Sequence, residues 1–149
     1  MDDPTSTLLR RYLATLAYRL RKALRGTPDG FSDFQAGHGV RTPNDLLNHM
    51  RGRLLFVHGH LRPNDGEEPP RLSWTDEVAA LSRVLSALDD DLRSAAPLDE
   101  ATVHRLLQGP LSDVMTHVGQ VAMLRRLAGS PIPAESFYDA DVVLGDMAL

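Results

Sequence analysis

Asp113 and His117 stand four residues apart in a segment of helical periodicity, so they leave one side of the helix with Cβ atoms roughly 5–6 Å apart. At about 100° per residue the pair sits beside Leu124, on the flank of an apolar stripe made by Leu111, Val114, Met115, Val118 and Ala122. His49 falls three residues after Leu46 and one before Met50, at the edge of a second apolar face. If those two helices are neighbours, two imidazoles and a carboxylate converge. Such a set fills three corners of a divalent ion and leaves room for water or substrate, an arrangement suited to catalytic zinc and also to manganese, iron or nickel. Spacing alone does not separate this reading from an ordinary hydrogen-bonded Asp–His pair on a helix surface.

The chain has no cysteine, so any ion must be held by His, Asp or Glu, and thiol chemistry would need a thiol from outside. The remaining histidines read as surface or capping residues. His60 shares a face with His49, but eleven residues at 1.5 Å each put it roughly 16 Å along the axis, too far to share an ion. His58 points to the opposite side, His38 lies in a glycine-rich linker and His104 in a short connecting helix. Glycine inside a helix costs roughly 1 kcal/mol, and Gly119 is therefore read as a point of close helix packing. Gln120 is open to two readings, a partner that holds an imidazole or a polar residue satisfied within the bundle. Phe31, Phe34, Phe56 and Trp74 read as core or bundle-end packing. No Glu-x-x-His pair of the di-iron type, no Gly-x-Ser-x-Gly turn, no P-loop and no dinucleotide fingerprint occurs.

Helices must position these residues, since periodicity is helical wherever it is strong and there is no internal repeat. The first helix spans about 4–24, with Asp3 as N-cap and Pro4 at its first position, and buries Leu9, Tyr12, Leu13, Leu16, Leu20 and Leu24. Four glycines and a proline make 26–40 a linker long enough to cross a bundle end. A second helix opens at Thr42-Pro43-Asn44-Asp45 and carries Leu46, Met50, Leu54, Val57 and Leu61. Residues 62–72, with three prolines and a glycine, read as an exposed loop. Ser73 caps a third helix built on Val78, Leu81, Leu85, Leu88 and Leu92, fading near Ala96-Pro97. A short helical piece over 100–107 precedes Gly109-Pro110, which reads as the start of a fourth long helix ending before Gly129 and Pro131. The pattern predicts one all-α domain over 1–149, a four-helix bundle of antiparallel type with a long crossover linker after the first helix.

Sixteen Lys+Arg against twenty Asp+Glu give a net charge of −4, which argues against nucleic acid or an anionic membrane as a partner. Arg10, Arg11, Arg19, Arg21, Lys22 and Arg25 alternate with apolar positions and read as the solvated side of the first helix. No apolar run of eighteen residues is present, and the first residues carry acids where a secretory signal needs bases; a soluble, cytoplasmic protein is expected.

The residues around the candidate ligands carry a further signal. Asp113-Val-Met-Thr-His117-Val-Gly119-Gln120 runs into a hydrophobic, Arg-containing stretch ending at Gly129-Ser-Pro131, and Arg41-Thr42-Pro43-Asn44-Asp45-Leu-Leu-Asn48-His49 opens the second helix. Both segments, and the layout of nearly the whole chain, resemble the DinB/YfiT-like superfamily. There the fourth helix tends to show His-x-x-x-His followed by Gly-Gln, and a third ligand follows a Thr-Pro entry on the second helix. This chain departs at Asp113, where the family usually has histidine; a carboxylate is a harder, charged ligand and shifts preference away from softer ions. The resemblance implies a divalent metal site at His49, Asp113 and His117. It further implies a transferase or isomerase working with a low-molecular-weight thiol, or a hydrolase using metal-bound water. The other reading is a non-catalytic, dimeric, stress-associated bundle with a degenerate metal site. A homodimer is implied by the resemblance, with Leu8, Leu55 and Met123 lying off the main stripes. Lys22 is the only lysine, a bias associated with high-GC bacterial genomes, some of which use mycothiol- or bacillithiol-type thiols.

Overall fold

The computed structural model describes residues 3–61, 69–94 and 96–149, and among them every regular element is helical, with no strand. Three rods stand alone: α1 (Pro4–Leu24), α2 (Pro43–Leu61) and α3 (Trp74–Ser94). The fourth is composite: α4 (Glu100–Leu106) passes through a π-helical turn (Leu107–Leu111) straight into α5 (Ser112–Leu127). Helix starts follow local chemistry, because a short oxygen-bearing side chain satisfies an otherwise orphaned N–H. Asp3 accepts from the Ser6 N–H at 2.8 Å, Thr42 from Asp45 at 3.2 Å and Ser73 from Asp76 at 3.2 Å. At the far end, Gly129 takes φ +80°, where a side chain would be strained, and ends α5.

The rods form a ring in which α1 and α2 each pack against both α3 and α5. Ion pairs give their directions. Arg10 near the start of α1 meets Asp89 near the end of α3, so these two are antiparallel. Arg51–Glu77 and His58–Asp91 ascend both helices together, so α2 and α3 run parallel. Arg125 at the end of α5 donates to the carbonyls of Ala23 and Arg25 at the end of α1, which makes that pair parallel as well. The antiparallel-type expectation is thus corrected to an up-down-down-up order. A parallel pair needs the chain to travel back along the bundle, and the tail of that return is visible. The carbonyls of Pro69, Pro70 and Leu72 accept hydrogen bonds from Asn48, Arg51 and Asn44 on α2. Most of the expected loop, at 62–68, lies outside the described residues.

The core is aliphatic. Leu13, Leu16, Leu20, Leu46, Met50, Leu54, Leu81, Leu85, Leu88 and Leu111 are all under 2 % exposed, each contributing about 1.5–3 kcal/mol through burial. Phe31 is buried edge-on against Trp74, as bundle-end packing requires, but Phe56 is half exposed beside His60 and belongs to the surface. Leu55 packs against the core, whereas Leu8 and Met123 are exposed.

Gly109-Pro110 does not begin a helix. The buried stripe runs Val103, Leu106, Leu111, Val114, Val118 and Val121, and the five-residue step from Leu106 to Leu111 is the π turn. Proline cannot donate to the carbonyl four residues back and crowds it, and the wider turn accommodates that defect without breaking the rod. The inserted residue rotates everything after it by about 100° relative to an unbroken α-helix.

The basic residues of α1 are not a solvated face. Arg10 is buried in its bidentate pair with Asp89, while Arg11 donates to the Val142 carbonyl and Arg21 to Asp146 and the Ala148 carbonyl. Lys22 and Tyr18 both hold Glu135. Together with the Ser82 hydroxyl on the Met147 carbonyl and the buried Met147 side chain, they fasten the last twenty residues or so along α1 and α3.

Candidate metal centre

His49 comes from the first half of α2, two turns beyond the Thr42 cap, and Asp113 and His117 from the first turns of α5 just after the π turn. The seam between α2 and α5 brings them together. His49 Nε2 lies 3.1 Å from Asp113 Oδ2, and His117 Nε2 lies 3.3 Å from Asp113 Oδ1. The two rings meet edge to face with centroids 4.8 Å apart. One ligand atom from each of the three residues fits within a 4.8 Å span, so the group could hold a metal ion. Ligand atoms around a tetrahedral zinc lie about 3.3–3.6 Å apart. His117 already stands at that separation from Asp113 Oδ1, and His49 lies slightly closer to the other carboxylate oxygen.

His117 is buried, while His49 and Asp113 are partly exposed, so the centre has a dry side and a wet side. Gln120 settles the choice left open between its two readings: its Oε1 lies 2.7 Å from His117 Nδ1. With Nδ1–H donating to that oxygen, Nε2 keeps its lone pair on the side where Asp113 and His49 stand. The donor set suits a hard or borderline divalent cation.

Two clefts flank the three residues. One, about 520 Å³, opens beside His117 and Gln120 and is walled by Leu46, Val40, Met123, Leu124 and Leu127, with Arg41 at its rim. The other, also about 520 Å³, opens beside Asp113 and is lined by Arg53, Phe56, the π turn, Ser112 and Thr116. Substrate-sized space therefore reaches the centre from both sides.

The other histidines are elsewhere. His60 touches Phe56, and His104 faces Glu100 at 3.6 Å on its own helix. His38 is exposed in the linker, with φ +56°. His58 is not a surface residue: its Nδ1 lies 3.1 Å from Oδ2 of the buried Asp91 across the α2–α3 seam. Gly119 does not mark close packing either, since a Cβ built there meets nothing within 4 Å.

Arg53, one turn beyond His49, was not singled out by motif or stripe. The signal for it was the His49-x-x-x-Arg53 spacing, which places the guanidinium on the ligand side of α2. No protein-family model, no curated protein and no solved structure matches the chain.

Proposed function

We propose that the protein is a metal-dependent helical bundle in which His49, Asp113 and His117 hold one divalent ion with an open coordination position. The convergence of the three side chains from two helices carries this reading. Within that class, the Thr42-Pro43 entry to α2 and the His117-Val-Gly119-Gln120 step on α5 favour the DinB/YfiT-like type. The corresponding activity is thiol-dependent transfer or isomerisation, or hydrolysis, in the cytoplasm of a bacterium, by a homodimer. Once bound, the ion supplies a Lewis acid that lowers the pKa of a thiol or a water. The protein's own part is to fix the ligands: Gln120 orients His117, and Asp113 reaches both imidazoles.

The test is metal content and zinc titration of the purified protein. One equivalent of zinc is expected, and His117→Ala abolishes stoichiometric binding, because the two remaining ligands sit on different helices. Acidification releases the ion, since imidazole coordinates only when neutral. Asp113→His is the sharper variant, as it supplies a softer ligand at the same place and strengthens zinc binding if the positions converge on one ion. An Asp113→His protein that binds no better than one lacking His49 removes the metal reading. The non-catalytic bundle then stands.

A further inference from the structure

Most arginines buried in this fold have spent their donors. Arg10 is bidentate on Asp89, Arg51 is divided between Glu77 and the Pro70 carbonyl, and Arg125 serves the carbonyls of Ala23, Arg25, Gly26 and Ser130. Arg53 is different. Its guanidinium leans over the Phe56 ring at 6.0 Å from the centroid, and among the described residues its Nε is buried without a hydrogen-bond partner. An orphaned buried donor costs about 1–3 kcal/mol, a cost that an acceptor would remove once the guanidinium turns to meet it.

The surroundings say what that acceptor is. Arg53 lines the same cleft as Asp113, and Gln108, Gly109 and Pro110 of the π turn line it as well. Among the described residues, Arg53 is also the only cationic side chain lining this cleft. One guanidinium matches the two oxygens and single charge of a carboxylate, whereas a phosphate dianion would leave charge uncompensated beside Asp113. Phe56, half exposed, and Pro110 offer apolar surface to the body of such a ligand.

We propose that Arg53 anchors the carboxylate of a small monoanionic ligand in the cleft beside Asp113, with the ligand's other end directed at the three-residue centre. The anchor itself does not require the metal; the direction of the ligand's other end rests on the metal reading above.

The probe is benzoate, with benzamide and inorganic phosphate as controls, titrated into zinc-loaded and chelator-treated protein. Binding is followed through the Arg53 Nε–H resonance and the backbone amides of Phe56 and Ser112, and zinc stoichiometry is measured on the same samples. Benzoate should shift these resonances in both samples while benzamide does not, and Arg53→Gln should weaken benzoate at least about tenfold, the loss expected for a charged hydrogen-bonding partner. Arg53→Lys, which keeps the charge but not the fork, should fall between. Zinc binding must survive in both variants. If zinc fails to bind yet benzoate still depends on Arg53, the metal reading falls and the anchor stands. Benzoate binding that is indifferent to Arg53, or phosphate binding tighter than benzoate, overturns the anchor whatever the metal result.

Discussion

Helix α2 presents polar residues to two neighbours and treats them in opposite ways. Toward α3 the network around Glu77 is closed. Arg51 donates to both oxygens of Glu77, at 2.7 and 3.0 Å, and Glu77 Oε1 also accepts from Asn48 at 3.1 Å and from the Leu72 N–H at 2.9 Å. Glu77 is wholly buried. Toward α5, about 150° around the same helix, His49 shares the Asp113 carboxylate and Arg53 lines a cleft with a guanidinium nitrogen unspent. Both seams carry charged side chains, so charge alone does not distinguish structure from function. Saturation of the central charges does. Arg51 and Glu77 satisfy each other with help from Asn48 and the Leu72 N–H, even though Asn44 Oδ1 on the same side of α2 is buried without a partner among the described residues. On the α5 seam, by contrast, the Arg53 Nε keeps capacity for something not yet present.

The largest effect should come from breaking the closed seam. Glu77→Ala leaves Arg51 buried without its counter-charge and should cost about 3–5 kcal/mol, a large part of the total stability of a domain this size. Denaturant unfolding measures it. Replacing both partners, Arg51→Met with Glu77→Leu, should cost much less. The seam also has a pH signature. Burial pushes the Glu77 carboxyl up, but hydrogen bonds from Arg51, the Leu72 N–H and Asn48 together outweigh it and hold the carboxyl below its ordinary value. The unfolded chain therefore takes up this proton at a higher pH than the folded one does. Its stabilisation is complete above the ordinary carboxylate range and is lost as pH falls from there through the lowered value. A Glu77→Gln protein that kept the same acid limb in its stability profile would contradict this.

The open seam should respond in affinity rather than stability. Gln120→Ala frees His117 Nδ1 and should weaken zinc by about 10–100-fold, the usual cost of removing a partner that orients a ligating imidazole. Its unfolding midpoint should barely move, because Gln120 is exposed. If metal-free stability falls as far as zinc affinity does, Gln120 is part of the scaffold and the two seams are more alike than they look.

Sequence periodicity carried the helices well. The stripes through Leu13, Leu16 and Leu20 and through Leu81, Leu85 and Leu88 are buried, and Asp3, Thr42 and Ser73 cap as their chemistry dictates. Helix direction was less legible, since an amphipathic stripe is the same read up or down. Only pairs such as Arg51–Glu77 and His58–Asp91 reveal that α2 and α3 are parallel. The π turn was hidden for a different reason: Gly109-Pro110 is the ordinary punctuation of a helix start, and the five-residue step from Leu106 to Leu111 speaks against that only once burial is known. At the site, the side of α5 carrying Asp113 and His117 could be read from their spacing. That His49 lies opposite them could not, because no pattern within one helix identifies its neighbour.

The smallest expected effect concerns Gly119, which sits two residues beyond His117 on α5. Close packing would explain a glycine inside a helix, yet a Cβ here meets nothing within 4 Å, and the residue is exposed in a helical conformation. Gly119→Ala should therefore stabilise the protein by about 0.5–1 kcal/mol, through helix propensity and a less disordered unfolded chain. Chemical denaturation at low micromolar concentration reads this directly. The same variant also sharpens the view of the open seam, because Gly119 lies on the exposed side of α5, four residues from Met123, which is 65 % exposed. If a second copy of the chain covers that surface, the added methyl group meets it, and the gain in stability should turn into a loss that grows with protein concentration. Sedimentation of the wild type and of Gly119→Ala over the same concentrations separates the cases. A stabilised variant with unchanged association means that this face of α5 is free, and that the homodimer, if it forms, uses another surface.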